Sequence, residues 1–356
     1  MTGRRINIVL MLLTVLTVGA CHLRPLEDPS EMVKIRVDVN VKAVVNVTGH
    51  LRYSTNPRID QLTKEKEDQL STDMMRVLVY DPSSLKLVTE SFITAKTVSE
   101  NGDDILTGNL SISYGTFNLL VYNFDTPTTQ IKNENNEGQI LAYTNPLPAA
   151  QRYSILGTKT DDFENVSINY EPEHLLVARE QSVRVSPHDT VVVIHTEARS
   201  VIDTYYIQIH CENMQYASTK ATAVITGLSP SNAIGLGIRT EDPTAAVCFD
   251  LKQSTDTSLP SENKDVLCAV FNTFGKIDHA TSNLHVTFNV VDTGGNLQQK
   301  EVNLDKVFQT KEAIENHWLL VTETWVLEKP EVTPTGGGGF QPEVCDWDEV
   351  IGNITI

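Results

Sequence analysis

The sequence predicts an all-β protein made of two β-sandwiches. The clearest signal is a run of apolar residues at alternate positions from Val33 to Val41, separated by charged or polar residues. This period of two indicates a strand with one buried face. Further apolar runs recur about every 8–12 residues between turns rich in glycine, aspartate and asparagine, which is typical of sandwich strands. A chain of 356 residues is also longer than one core usually supports.

The predicted strands fall into two series. The first comprises residues 33–41, 76–80, 85–92, 110–114, 117–124 and 166–170. The second comprises residues 191–194, 205–209, 223–226, 247–251, 266–271, 284–290 and 319–327. The polar stretch 54–73 is interpreted as a solvated loop or a short helix, and 306–316 is predicted to be the one helix of note.

These series predict an N-terminal sandwich at residues 31–180 and a C-terminal sandwich at residues 181–356. The end of the second is unusual. Four consecutive glycines, Gly336 to Gly339, form a hinge, and a strand-like segment follows at 340–356. A terminal strand normally completes its own sheet. Behind such a hinge, this segment could instead pair with another subunit.

The charge balance excludes one large class of function. The chain has 28 basic and 46 acidic residues, a formal net charge of −18. A nucleic-acid-binding protein needs a basic surface against the phosphates, so nucleic acid is not an expected partner. The sequence also lacks the common hydrolase, zinc-protease and nucleotide-loop motifs. We therefore expect no enzyme activity, no catalytic residues, no metal site and no cofactor. A membrane-anchored hydrolase is a further hypothesis, but the sequence offers no set of catalytic residues for it.

The first 20 residues have the pattern of an export signal. Arg4 and Arg5 precede a short apolar segment, which is too short to span a bilayer. It ends in Val-Gly-Ala-Cys, which resembles a bacterial lipobox, with signal cleavage between Ala20 and Cys21. Acyl chains on Cys21 would then hold the protein in a membrane. The alternative is an unmodified cysteine after an ordinary signal peptide. Residues 21–30 are predicted to be a tether.

Four further cysteines follow, at positions 211, 248, 268 and 345. An exported protein can form disulfides, and four cysteines allow three pairings. Cys248 and Cys268 lie in neighbouring predicted strands and are the first pair to test. Buried free thiols are an equally good interpretation.

Several segments together resemble a known family. They are the lipobox Cys21 followed by Arg-Pro-Leu-Glu-Asp-Pro, the segments 76–82 and 115–123, and Gly-Gly-Gly-Phe at 337–340 before a closing β segment. This pattern resembles the fimbrillin-like lipoproteins of Bacteroidales, the subunits and anchors of type V pili. The resemblance implies two transthyretin-like Greek-key β-sandwich domains. It also implies an outer-membrane lipoprotein at the cell surface or in the fimbrium, with a structural role in adhesion.

The resemblance further implies a mode of assembly. In shaft subunits of this family, an arginine-specific protease removes the first strand, and the C-terminal segment of a neighbour replaces it by donor-strand exchange. Here the removable strand corresponds to residues 33–47, and the donor to residues 340–356. Arg52 and Arg58, in the polar stretch, are the candidate cleavage sites, although either could be an ordinary loop arginine. The expected partners are other fimbrial subunits and, through Cys21, outer-membrane lipid.

An alternative function is that of a surface glycan-binding outer-membrane lipoprotein. It would need exposed aromatic side chains, and the tryptophans at 318, 325 and 347 all lie near the C-terminus. The strand pattern around Trp325 favours a core position for that ring.

Overall fold

The protein folds almost entirely into strands, as predicted. A computed structural model describes residues 32–330, apart from 43–56, 157–165, 242–244, 257–263, 278–283 and the single positions 71, 101, 103 and 125. The predicted all-β class is confirmed.

The first eleven strands and two helices are β1 (Met32–Lys42), α1 (Pro57–Glu67), β2 (Met75–Tyr80), β3 (Leu87–Ile93), β4 (Ala95–Val98), β5 (Asp104–Ser113), β6 (Gly115–Asn123), β7 (Thr129–Lys132), β8 (Leu141–Thr144), α2 (Ala149–Leu156), β9 (Ser167–Tyr170), β10 (Leu176–Val185) and β11 (Val191–Ser200). The remaining elements are β12 (Asp203–Glu212), β13 (Ala217–Thr226), β14 (Ser231–Ala233), β15 (Ile238–Arg239), β16 (Ala245–Asp250), β17 (Lys252–Thr255), β18 (Asp265–Thr273), β19 (His285–Asp292), β20 (Leu297–Asn303), α3 (Lys311–Asn316) and β21 (Trp318–Val326).

The N-terminal sandwich is one curled sheet of eight strands. Their order is β3-β2-β6-β10-β11-β1-β5-β4. The sheet folds over so that β3 approaches β5, and the hydroxyl of Ser91 donates to the carbonyl of Asn109 at 3.4 Å. A Cβ atom at Gly108 would overlap the side chain of Ile93, so glycine permits this close approach. The enclosed core takes residues from β1, β2, β5, β6, β10 and β11.

The C-terminal sandwich has two sheets, with strand orders β17-β18-β12-β21 and β20-β19-β13-β16-β9. Their inner faces form the largest apolar core of the described residues. A tight turn follows β19, where the Asp292 carboxylate accepts hydrogen bonds from the backbone N–H groups of Gly294 and Asn296 at 2.8 Å each. These bonds fix the β19–β20 hairpin.

A small third sheet joins the two sandwiches. Its order is β15-β14-β8-β7, so it takes two strands from each part of the chain. Ala142 of β8, with Ile140 just before β8 and Ile234 just after β14, lies in a separate apolar cluster on the outer face of β2, β6 and β10. The two sandwiches therefore share a packed junction.

The predicted domain boundary at residues 180/181 requires correction. It lies inside β10, where Glu180 and Val183 both pair with β6. Strand β11 then pairs with β1, so the N-terminal sandwich extends to Ser200. In the other direction, β9 pairs with β16 of the C-terminal sandwich. The chain therefore crosses between the sandwiches more than once, because the strands pair according to space and not according to sequence order.

The helices also differ from the prediction. Within 306–316, α3 occupies only Lys311–Asn316, after a 3-10 turn at Val307–Gln309. Helices α1 and α2 lie elsewhere, and α1 occupies much of the polar stretch 54–73. Of the two interpretations of that stretch, the short helix is correct.

Candidate functional site

Strand β1 lies in the interior of its sheet. On one side it runs parallel to β11, with Lys34 to Lys42 opposite Val191 to Arg199. On the other side it runs antiparallel to β5, with Met32 to Asn40 opposite Ser113 to Ile105. Both edges of the strand are therefore hydrogen-bonded, and its removal would separate β5 and β4 from β11.

The alternating sequence of β1 explains this position. Ile35, Val37 and Val39 are fully buried in the core, and Val33 is 5% exposed. Burial of each such side chain contributes about 1.5–3 kcal/mol, so the four contribute roughly 6–12 kcal/mol before the entropy cost of ordering the strand. The apolar face of β1 therefore fixes its register and supplies a large share of the core.

The opposite face of β1 is polar and carries one buried carboxylate. Asp38 is 9% exposed. It accepts hydrogen bonds from Arg36 Nε at 2.9 Å and from the Thr107 hydroxyl on β5 at 3.0 Å. This carboxylate is thus satisfied by its own strand and by the neighbouring strand.

Helix α1, which follows β1 in the chain, packs on the C-terminal sandwich. Its buried side chains Ile59 and Leu62 lie in one cluster with Tyr206, Val270 and Trp318. The two apolar positions three residues apart lie on the same face of the helix. Strand β1 therefore belongs to the N-terminal sheet, whereas α1, the next helix in the chain, is held by the C-terminal sandwich.

An ion pair strengthens this attachment. Lys66 of α1 pairs with Glu171, and both side chains are largely buried. The backbone N–H of Asn272 on β18 also donates to Glu171, at 2.8 Å. Burial raises the pKa of Glu171 above its usual value, while Lys66 and this N–H oppose the rise. The buried carboxylate thus depends on Lys66 for its compensation.

A buried histidine lies close to the same junction. His174 is 3% exposed. Burial, together with the positive charge of Lys66, lowers the pKa of His174 to about 4. Its backbone carbonyl accepts from the side chain of Asn123 at 3.1 Å. The imidazole is therefore neutral at pH 7.

The two candidate cleavage sites differ in their placement. Arg52 lies outside the described residues. Arg58 is the second residue of α1, and its Nη1 donates to Gln61 at 2.6 Å. The expected accessible loop is therefore wrong for Arg58. Proteases cleave exposed, extended segments most readily, so a helix docked on a sandwich is a poor substrate.

Several predicted sites lie outside the described residues. They are the signal cleavage position between Ala20 and Cys21, the tether, the glycine hinge 336–339, the segment 340–356, and the residues of the predicted first strand beyond 42.

The structure does not bring Cys248 and Cys268 together. They lie in β16 and β18, which belong to opposite sheets of the C-terminal sandwich. Cys248 packs in the cluster under α2 and Cys268 in the cluster under α1, with the central core between them. Among the described residues, Cys211, Cys248 and Cys268 form no disulfide, and side chains on opposite outer faces cannot be bridged. This corrects the predicted pairing, and Cys345 lies outside the described residues.

We expect these three thiols to resist alkylation in the native protein. Burial raises the pKa values of Cys211 and Cys248 to about 12, so thiolate is scarce at pH 8. Mass spectrometry after iodoacetamide treatment should find positions 211, 248 and 268 unlabelled, and labelled once guanidinium is added without reductant. A control digest run without reductant identifies the cysteine peptides that are not disulfide-linked. A Cys248–Cys268 linked peptide would contradict the structure.

The described tryptophan side chains are buried. Trp318 is 2% exposed and Trp325 is 7% exposed, so neither forms a binding platform; Trp347 is outside the described part. In the described part of the chain, no group of three or more histidine, cysteine, aspartate or glutamate side chains could hold a metal. None of its helices is long and apolar enough to cross a bilayer.

Sequence comparison places the chain in a family. A family model described as "Domain of unknown function (DUF5119)" matches residues 65–250, just over half of the chain. The chain belongs to the DUF5119 family. The DUF5119 match begins at the end of α1 and ends with β16, so it does not include β1 or Arg58.

The DUF5119 protein has relatives among Bacteroidales. It is 22% identical over 265 residues to "Putative fimbrium anchoring subunit Fim4B" of Bacteroides ovatus, covering 67% of this chain and 74% of that protein. A solved structure described as a "putative adhesin" from Bacteroides ovatus has a TM-score of 0.55 at 15% identity, covering 83% of this chain and 93% of that one. The fimbrial anchor protein Mfa2 of Porphyromonas gingivalis has a TM-score of 0.45 at 10% identity, covering 81% and 88%. The resemblance to Bacteroidales fimbrial proteins is confirmed.

Proposed function

We propose that this protein is a non-enzymatic structural subunit of a cell-surface fimbrium with a role in adhesion. The observation that carries the proposal is the similarity to Fim4B, which extends over 74% of that relative. The all-β fold and the negative net charge are compatible with an extracellular structural role. Acyl chains on Cys21 attach the protein to the outer membrane.

Assembly by donor-strand exchange is the proposed mode of contact with other subunits. In a shaft subunit, removal of the chain up to Arg52 takes away β1 and exposes the apolar residues that it covers. A strand from a neighbouring subunit, residues 340–356 in this chain, restores that burial. Because β1 is hydrogen-bonded on both sides, the incoming strand gains two ladders at once. In an anchor, β1 remains in place and the lipid is kept.

Of these two roles we favour the anchor. Fim4B is named as an anchoring subunit, and the lipobox at Cys21 provides an attachment point. In a shaft subunit, the helical position of Arg58 would leave Arg52 as the better of the two cleavage candidates. An anchor needs no cleavage, and retention of β1 keeps its N-terminal sandwich complete.

The test is the N-terminus and lipid state of the protein purified from the cells that make it. An anchor should begin at acylated Cys21, and the Cys21→Ala variant should release fimbriae into the medium. Arg52→Ala should then change nothing. In a shaft subunit the terminus would lie after Arg52, and Arg52→Ala would abolish SDS-resistant polymers, whereas Arg58→Ala serves as the matched control. A lipidated protein that never co-purifies with fimbriae contradicts the proposal.

A further inference from the structure

A cavity of about 330 Å³ lies on the outer face of the N-terminal sheet. It is formed where β7 of the small sheet passes the ends of β2 and β6. Its walls are Arg76, Tyr122, Asn123, Phe124, Thr126, Thr129, Gln130, Ile131, Glu134 and Leu175. This volume is at the lower end for small-molecule sites, so the cavity suits one compact ligand.

The floor of the cavity is a rigid pair of opposite charges. Arg76 donates through Nη1 to Glu134 Oε1 at 2.6 Å and through Nη2 to Glu90 at 2.5 Å. The Tyr122 hydroxyl donates to the same oxygen of Glu134. Burial, together with the nearby carboxylate of Glu134, raises the pKa of Tyr122 above its usual value, so the hydroxyl keeps its proton. The two charged groups are therefore fixed in place before any ligand arrives.

Both charged groups keep unused hydrogen-bonding capacity. Within the described residues, all hydrogen bonds to the Glu134 carboxylate go to Oε1, which leaves Oε2 as a free acceptor. The Arg76 guanidinium has five N–H donors. Nη1 and Nη2 each give one N–H to a carboxylate and keep a second, and the side chain is 23% exposed. The cavity thus offers a fixed acceptor beside a fixed donor.

An apolar wall faces this pair. Phe124 and Ile131 are partly exposed, and Leu175 is buried beneath them. Beside Phe124, the ring of Phe92 is 47% exposed, with 5.4 Å between the two ring centroids. The cavity therefore combines a planar donor–acceptor pair with an aliphatic and aromatic surface.

We propose that this cavity binds a neutral sugar ring, as the terminal residue of a glycan. The C–H face of a pyranose packs on Phe124, and two adjacent hydroxyls bond to Glu134 Oε2 and to a remaining Nη N–H of Arg76. Glu90 and Glu134 outweigh Arg76 by one negative charge, so anionic sugars are disfavoured. The site is independent of lipidation and of subunit assembly.

The proposal is tested with the purified full-length protein and simple methyl glycosides. Saturation-transfer NMR should detect at least one among methyl galactoside, glucoside, mannoside and N-acetylglucosaminide. A ligand of about a dozen non-hydrogen atoms implies a dissociation constant on the order of 1 mM. Glucuronic acid and N-acetylneuraminic acid are the anionic comparisons.

Two variants of the cavity separate its two halves. Glu134→Gln keeps the shape and removes the charge-assisted bond, and Phe124→Ala removes the ring. Each should weaken binding about tenfold or more. Tyr153→Ala removes an aromatic side chain of α2 that is 66% exposed and does not line the cavity, so it should leave binding unchanged. Thermal unfolding confirms that all three variants are folded.

Three results would overturn the proposal. The first is the absence of a signal from every neutral glycoside at about 20 mM, which is well above the expected dissociation constant. The second is unchanged binding in both cavity variants, and the third is an anionic sugar that binds as tightly as a neutral one. Each can occur whether or not the protein is a fimbrial subunit, since the measurement uses the isolated protein.

Discussion

Replacing Ile35 with aspartate should unfold the N-terminal sandwich. Ile35 is fully buried in the middle of β1, among the side chains of the core. An aspartate there would either bury an unpaired charge or force β1 out of the sheet. Either outcome costs about 4 kcal/mol or more, a large part of the stability of an ordinary domain.

Hydrogen exchange and fluorescence can locate this effect. Amides of β5 and β11, the two neighbours of β1, should lose protection in Ile35→Asp. Fluorescence from Trp318 and Trp325 reports on the C-terminal sandwich and should change less, because that sandwich has its own core. Lys34→Asp is the matched control, since Lys34 is exposed on the other face of the same strand. It should cost less than about 1 kcal/mol. Equal losses in the two variants would mean that β1 is not part of the core.

Replacing Lys66 with methionine should destabilise the attachment of α1 by about 3 kcal/mol. The change leaves Glu171 buried without its cation, and an uncompensated buried charge is costly. Lys64→Met on the same helix is the control. Lys64 pairs with Asp68 at 3.0 Å, but both side chains are more than 60% exposed, so the free energy of unfolding should hardly change.

A second substitution makes this test sharper. In the double variant Lys66→Met with Glu171→Gln, no charge is buried, and most of the lost stability should return. Guanidinium unfolding followed by tryptophan fluorescence is suitable, because Trp318 lies directly under α1. A double variant as unstable as Lys66→Met alone would mean that the two side chains do not act as a pair.

The local elements were predictable because local patterns specify them. The alternation in β1 and the Asp-Thr-Gly-Gly-Asn turn after β19 each follow from a few adjacent residues, and both are present. Pairing over long distances was not predictable. Nothing in the sequence near Glu180 shows that β10 continues the first sheet, or that β9 belongs to the second.

The candidate site shows the same division. The strand character of β1 was read from its sequence, but its position between β5 and β11 depends on residues about 70 and 160 positions away. In α1 the signal was weak. Ile59 and Leu62 are three apart in a stretch that is otherwise polar, and only the docked helix explains them. The cavity at Arg76 and Glu134 left no motif, since its residues come from separate strands.

The two-sided pairing of β1 has a mechanical consequence. In the anchor role proposed above, tension from acylated Cys21 would enter the fold at Met32, the start of this strand. A pull along the strand axis loads the ladders to β5 and β11 together, in shear, and does not peel them bond by bond. Resistance to such a force is governed by the unfolding rate. The strand nearest to the tether is thus held on both flanks, where an edge strand would be held on one.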